Sequence, residues 1–468
     1  MAAEFRTEKD SMGTMQVPAD ALYGASTQRA VENFPISGYV FTRPYIRALG
    51  LIKLAAAEAN ALFGTVPKDK CEAIIKAAQE VIDGKLDRHF VIDIFQTGSA
   101  TSTNMNANEV IAHRAMQLVA GAKIHPNDHV NQSQSSNDVI PTAMHVAACE
   151  TLRNDFIPAL EHLADALDEK ARAWDNIVKI GRTHLQDATP IRLGQEFSGY
   201  AAQARLGAMR CQKAIRALRE LPIGGTAVGT GINTPKGFGA AVAERLASKT
   251  GIDFVEAANH FEAQHAKDGF VEASGLLKTV AISLGKIAND IRFLGSGPRC
   301  GIGELKLPAT QPGSSIMPGK VNPVMCEMLM QACSHAIGSD AAVTHAAATL
   351  GNFDLHVGMP VMAHNFLEAT RILSNAVRVF TDRCIAGLEA DQQRAEQLVE
   401  QSLAMCTSLA PVIGYDNAAA LAKKAYETGK TVRQVALEQN VLPADQLNKL
   451  LDPRAMTEPG ASAGPAGG

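Results

Sequence analysis

Between about Glu262 and Leu294 the apolar residues Leu277, Val280, Leu284, Ile287, Ile291 and Leu294 alternate spacings of three and four, the seam of a helix that packs against other helices. At about 1.5 Å per residue such a helix is on the order of 50 Å long, and it needs partners along its whole length. Partners are legible elsewhere. Leu152, Phe156, Leu160, Leu163 and Leu167 fall on one helical face between Pro141 and Trp174, and Met362, Phe366, Ala369, Leu373 and Phe380 do so after Met359. Runs of alternating strand character are missing. The expectation is a mainly α fold around a central bundle of long helices, with an oligomeric core.

A chain of 468 residues, 46% of them hydrophobic, suggests about three domains. Residues 1–134 read as a mixed, mostly helical domain, with helical patterns at Tyr45–Phe63 and Asp69–Ile82 and a stop at Gly84. Residues 135–389 hold the bundle. Residues 390–457 read as a small helical domain built from Gln392–Leu409, Asn417–Glu427, Thr431–Gln439 and Ala444–Leu451. The Gly/Pro/Ala tail, 458–468, is expected to be disordered.

The net charge of -4 provides no basic field for nucleic acid or an anionic membrane surface. Charges near the N-terminus interrupt any signal-peptide core, and no segment reaches the roughly 18 apolar residues of a membrane span, so a cytoplasmic location is the default. Eight scattered cysteines without a Cys-x-x-Cys pair argue against a zinc site, an iron–sulfur cluster or a disulfide framework. Small molecules are the expected partners, with no cofactor or metal.

Four polar segments, near 96–109, 125–138, 182–187 and 313–327, interrupt or bound the helical patterns. The run from Gln96 to Glu109 has no apolar period and does not look like packing. Ser, Asn and Asp before a helix serve equally as caps or as an anion cradle at the helix N-terminus. Between Gly295 and Pro323 glycine and proline are too dense for any helix or strand interior, so this is a loop held between helices. Gly319-Lys320 is no phosphate loop: Val321 stands where Ser or Thr is required, and Ser314 where a glycine is. Gly225-x-x-x-Gly229-x-Gly231 lacks the preceding strand of a dinucleotide fingerprint.

The stretch Gly313-Ser-Ser-Ile-Met-Pro-Gly-Lys-Val-Asn-Pro323 resembles the signature of the fumarase/aspartase superfamily, and the resemblance extends from about Val17 to about Pro453. Ser135-Ser-Asn137, Gly181–Pro190 and Leu294–Gly301 resemble class II (iron-independent) fumarases more than aspartases. The resemblance implies a three-domain, metal-independent homotetramer whose core combines helices from four subunits and whose active sites each draw on three. It implies reversible hydration of fumarate to L-malate, with aspartate ammonia-lyase as the alternative and a non-catalytic structural oligomer as a more distant one.

Residue by residue, Ser314 matches the catalytic base, and His184 the other catalytic residue, paired with Glu327. Lys320 and Asn322 match the groups that stabilise the charged carboxylate of the intermediate. Ser99, Thr101, Ser135, Ser136, Asn137 and Thr183 match residues that hold the two carboxylates. His125, Asn127 and Asp128 resemble a second, non-catalytic anion site, with Ala122 where a basic residue often stands. Ala100, Ser102, Gln132, Asp354 and His356 depart from the usual pattern without removing a proposed catalytic group.

Overall fold

The computed structural model describes residues 4–460. The chain opens on a hairpin, β1 (Phe5–Asp10) and β2 (Gly13–Pro18), paired from Phe5↔Pro18 to Asp10↔Gly13. The helices α1 (Ala25–Asn33), α2 (Arg43–Phe63), α3 (Lys68–Ile82), α4 (Thr101–Leu118), α5 (Ser136–Thr151) and α6 (Ile157–Ala173) follow. A second hairpin, β3 (Val178–Thr183) and β4 (Gln186–Arg192), leads into α7 (Leu193–Ala217), α8 (Phe238–Thr250), α9 (His260–His265), α10 (Asp268–Leu294), α11 (Val324–Thr349) and α12 (Met359–Phe380). Five short helices close the chain: α13 (Gln392–Gln401), α14 (Ala410–Ile413), α15 (Tyr415–Thr428), α16 (Val432–Glu438) and α17 (Ala444–Leu450).

The helical expectations meet the structure with local differences. All six seam residues of α10 are buried. The helix starts at Asp268 rather than near Glu262, because Asn259 caps the separate turn α9 through the N–H groups of Phe261 and Glu262, and Ala266 is extended. The pattern from Pro141 to Trp174 is interrupted by a π-helical turn, Leu152–Phe156, with helical dihedrals on both sides. Such a turn inserts a residue without ending the helix. The tail beyond Glu458 is described only to residue 460, and the rest of that expectation lies outside the described residues.

Strands do occur, as two-stranded pairs. They escaped the sequence reading because each is six or seven residues at most, and polar residues occupy both faces of the first hairpin. The break expected at Gly181–Pro190 is the second hairpin.

Two compact units divide the chain. The first comprises residues up to Pro158, Gly207–Ile282 and Ala332–Ser374. Within it α2 packs on α3, α5 and α8. Small residues on α2 permit close approach: a Cβ added to Gly50 would meet Val81 and Ile82 of α3 at 3.0 Å. The second unit comprises Ala159–Leu206, Ser283–Gln331 and the described chain from Asn375. In it the C-terminal helices share a core, with Val399, Met405, Leu409, Leu421, Val432, Val435, Leu447 and Leu451 packed around Ile180 of β3. Among the described residues no helix is long and apolar enough to cross a membrane.

Candidate active site

In the first unit, two helix N-termini carry the residues matched to carboxylate binding. Ser99 and Thr101 flank the start of α4, their hydroxyl oxygens 2.8 Å apart, and Ala100 between them adopts a left-handed conformation (φ 51). The approach to this turn is fixed twice. Met359 donates its N–H to the Gly98 carbonyl, and Gln96 accepts from both the N–H and the hydroxyl of Thr103. Gln96 in turn donates to the Asp93 carbonyl at 2.7 Å. The Asp93 carboxylate takes the N–H groups of Ser37, Gly38 and Phe95 at 2.6 to 2.8 Å and the Ser37 hydroxyl. Burial alone would raise this carboxyl's pKa, but those donors outweigh it and hold the group below the ordinary carboxylate value.

Ser135 caps α5. Its hydroxyl accepts from the Asn137 N–H and its own N–H donates to Asp138, completing a capping box. Asp138 also accepts from the N–H groups of Gly224 and Thr226, and Asn137 donates to the Ala227 carbonyl at 2.8 Å. The glycine-rich turn that resembled a nucleotide fingerprint is thus docked on the start of α5.

The two helix starts are joined by buried amides. Asn104 of α4 donates to the Ser136 hydroxyl at 3.0 Å and to Asn131 at 3.1 Å. Asn131 also accepts from Asn108 and from the ammonium of Lys53, which reaches Gln134 as well. The run from Gln96 to Glu109 therefore does pack, by hydrogen bonds rather than apolar contact: Thr103, Asn104, Asn106 and Asn108 are all buried. Burial pulls both charged groups here towards neutrality, lowering Lys53 to about 7 and raising Asp138 to about 7, each opposed by the other's charge. Asn104, Asn131, Lys53 and Asp138 were not picked out from the sequence. The alternating Asn104-x-Asn106-x-Asn108 and a lysine inside an alanine-rich helix were the available signals.

In the second unit, Thr183 ends β3 and His184 occupies the hairpin turn, both exposed. His184 and Leu185 both have positive φ, 58 and 61, between the paired residues Thr183 and Gln186. The loop before α11 is closed by a hydrogen bond from the Gly313 N–H to the Lys320 carbonyl, 2.8 Å, and by the Asn322 amide on the Gly313 carbonyl, 2.7 Å. At its tip the Ser314 hydroxyl oxygen accepts the N–H groups of Ile316 at 3.2 Å and Met317 at 3.1 Å. Lys320 is exposed, and Glu327 lies in the first turn of α11. Among the described residues no hydrogen bond or ion pair joins His184 to Glu327 within one chain.

His125 and Asn127 line a cavity of about 450 Å³ with Glu8, Asp10, Glu109 and His113. Asp128 is not in its wall but lies 3.2 Å from His125. Among the described residues no cluster of three or more His, Cys, Asp or Glu is placed to hold a metal ion.

Known proteins share this architecture. The family profile described as "Lyase" matches residues 13–338 and that of the "Fumarase C C-terminus" matches residues 405–458. The class II fumarate hydratase of Mesorhizobium japonicum is 51% identical over 463 residues, 98% of this chain and 99% of that one. The chain belongs to the class II fumarase family. The mitochondrial fumarate hydratase of Rhizopus oryzae is likewise 51% identical, over 97% of this chain and 93% of its own. Among solved structures, the class II fumarase of Schistosoma mansoni superposes with a TM-score of 0.95 at 37% identity, covering 98% of this chain and all of that one. The mainly α, class II fumarase-like fold implied by the signature is therefore the fold of this chain.

Proposed function

We propose that this class II fumarase homologue is a fumarate hydratase, catalysing the reversible anti addition of water to fumarate to give L-malate. The observation that carries the reading is the tip of the 311–323 loop. There two backbone N–H groups converge on the Ser314 oxygen, the arrangement a serine needs before its alkoxide can act as a base.

In the direction from malate, Ser314 removes the proton from the carbon beside a carboxylate that is already negative. The resulting aci-carboxylate concentrates charge, and stabilising it is the main catalytic task. Lys320 carries the cation for it, and the Asn322 amide retains a second N–H beside the one spent on Gly313. His184, oriented by Glu327, handles the departing hydroxide or incoming water. Ser99, Thr101, Thr183, Ser135, Ser136 and Asn137 hold the two carboxylates, using the hydroxyls and free N–H groups of two helix starts.

The assembly proposed is a homotetramer in which each active site draws on three subunits. Supporting it, the bundle helices leave large apolar side chains exposed on the single chain: Leu206 and Met209 of α7, Ile282 and Phe293 of α10, and Ile337 of α11. His184 and Glu327 would then pair across subunits. The division into domains at 1–134, 135–389 and 390–457, a cytoplasmic location, and an anion site at His125, Asn127 and Asp128 belong to the same proposal. Fumarate absorbance followed with malate and then with aspartate tests the reading. Turnover of malate supports it, and turnover of aspartate alone replaces it with an ammonia-lyase.

A further inference from the structure

A buried charge cluster lies beneath the His184 turn. In a regular strand, residues three apart face opposite sides, so Lys179 and Arg182 of β3 would diverge. The register of the hairpin shifts between Ile180 and Arg182, where Ala188 and Thr189 of β4 together oppose the single residue Gly181, a bulge on β4 that bends and twists the hairpin at this point. Only glycine fits there, since an added Cβ would meet the Thr189 carbonyl oxygen at 2.6 Å. Both cations nevertheless meet Glu304.

Glu304 has a fully buried side chain. Its two carboxylate oxygens accept from the two terminal nitrogens of Arg182 at 2.9 and 3.1 Å, and Lys179 lies 3.5 Å away. Lys179, itself buried, is also 3.2 Å from Glu196. The Glu304 backbone is held at both ends: its N–H donates to the Leu294 carbonyl and its carbonyl accepts from the Asp391 N–H. Glu304 is therefore a fixed point between the end of α10 and the loop that runs on to Ser314. Arg182 precedes Thr183 and His184 directly.

We propose, resting on the hydratase reading above, that Glu304 and Arg182 are positioning residues for catalysis: their two-pronged ion pair sets the His184 turn and the loop leading to Ser314 in one fixed register. A buried pair retained only for stability is replaceable by apolar side chains at little cost. A pair that positions two catalytic segments is not.

The test uses the full-length assembly, with kcat and KM for fumarate, thermal midpoint and oligomeric mass measured together. Arg182→Lys keeps the charge and loses the planar fork. It is expected to lower kcat at least tenfold with KM within threefold and the assembly intact. The double variant Arg182→Met/Glu304→Met is expected to fold and to remain at least a hundredfold below wild type in kcat. Wild-type kcat in either variant overturns the proposal. If the double variant does not fold, Arg182→Lys decides alone. Failure of the underlying reading looks different: wild type then does not hydrate fumarate, or Ser314→Ala retains full turnover.

Discussion

Replacing Asp93 by asparagine isolates how the start of α4, proposed above to hold a substrate carboxylate, is kept in place. The carboxylate accepts three backbone N–H groups and one hydroxyl. Asparagine has the same shape but only one acceptor oxygen. With that oxygen on Ser37 and Gly38, the new NH2 group can still donate to the Ser37 hydroxyl, but it faces the Phe95 N–H. A stranded donor costs about 1–3 kcal/mol, and loss of charge assistance in the two retained bonds about 1 kcal/mol more. Local destabilisation of about 2–4 kcal/mol follows. The disturbance reaches the active site through Gln96, which links the Asp93 carbonyl to Thr103, so KM for fumarate is expected to rise about tenfold while kcat changes little.

The pH dependence carries its own sign. The folded pKa lies below the ordinary carboxylate value, so the stabilisation is present above about pH 4 and is lost as pH falls through the folded value. Hydrogen exchange at Ser37, Gly38 and Phe95, corrected for intrinsic rates, should show protection weakening on acidification in wild type and a flatter, lower protection in Asp93→Asn. Equal protection and equal KM in the two proteins would refute the reasoning.

Other substitutions separate chemistry from scaffolding. Ser314→Ala removes a half-exposed hydroxyl whose partners are neighbouring loop N–H groups, so the thermal midpoint should hold while kcat drops about 10²–10⁴-fold, the usual weight of general-base catalysis; near-normal turnover would rule this serine out. Gly98→Ala drives a Cβ to 2.0 Å from the Val357 carbonyl oxygen, a clash with backbone that no rotamer relieves. It should lower the thermal midpoint and raise KM together, and a thermal midpoint unchanged from wild type would show that the segment yields freely.

The long helices were legible because a seam such as Leu277 to Leu294 is a repeated one-dimensional signal, and burial of one face is what it encodes. The candidate site was legible differently, through the Gly313–Pro323 signature and the polar interruptions. What remained hidden depends on contacts distant in sequence. Asn104 reads as one more polar residue until Ser136 and Asn131 stand beside it. Lys53 reads as a solvated charge until α2 is packed on its neighbours. Arg182 and Lys179 read as residues of opposite strand faces until Glu304 stands beside both. The short hairpins were missed because strands of six or seven residues with polar side chains on both faces carry almost no period.

The turn that holds His184 sets a trap for protein engineering. Two consecutive residues with positive φ across a two-residue hairpin favour Asn-Gly, whereas this chain has His184-Leu185. A stability screen blind to turnover would therefore favour His184→Asn and Leu185→Gly, each relieving about 1 kcal/mol of backbone strain. The double replacement His184→Asn/Leu185→Gly should melt later than wild type and hydrate no fumarate. Heat resistance alone is then the wrong property by which to select improved forms of this protein.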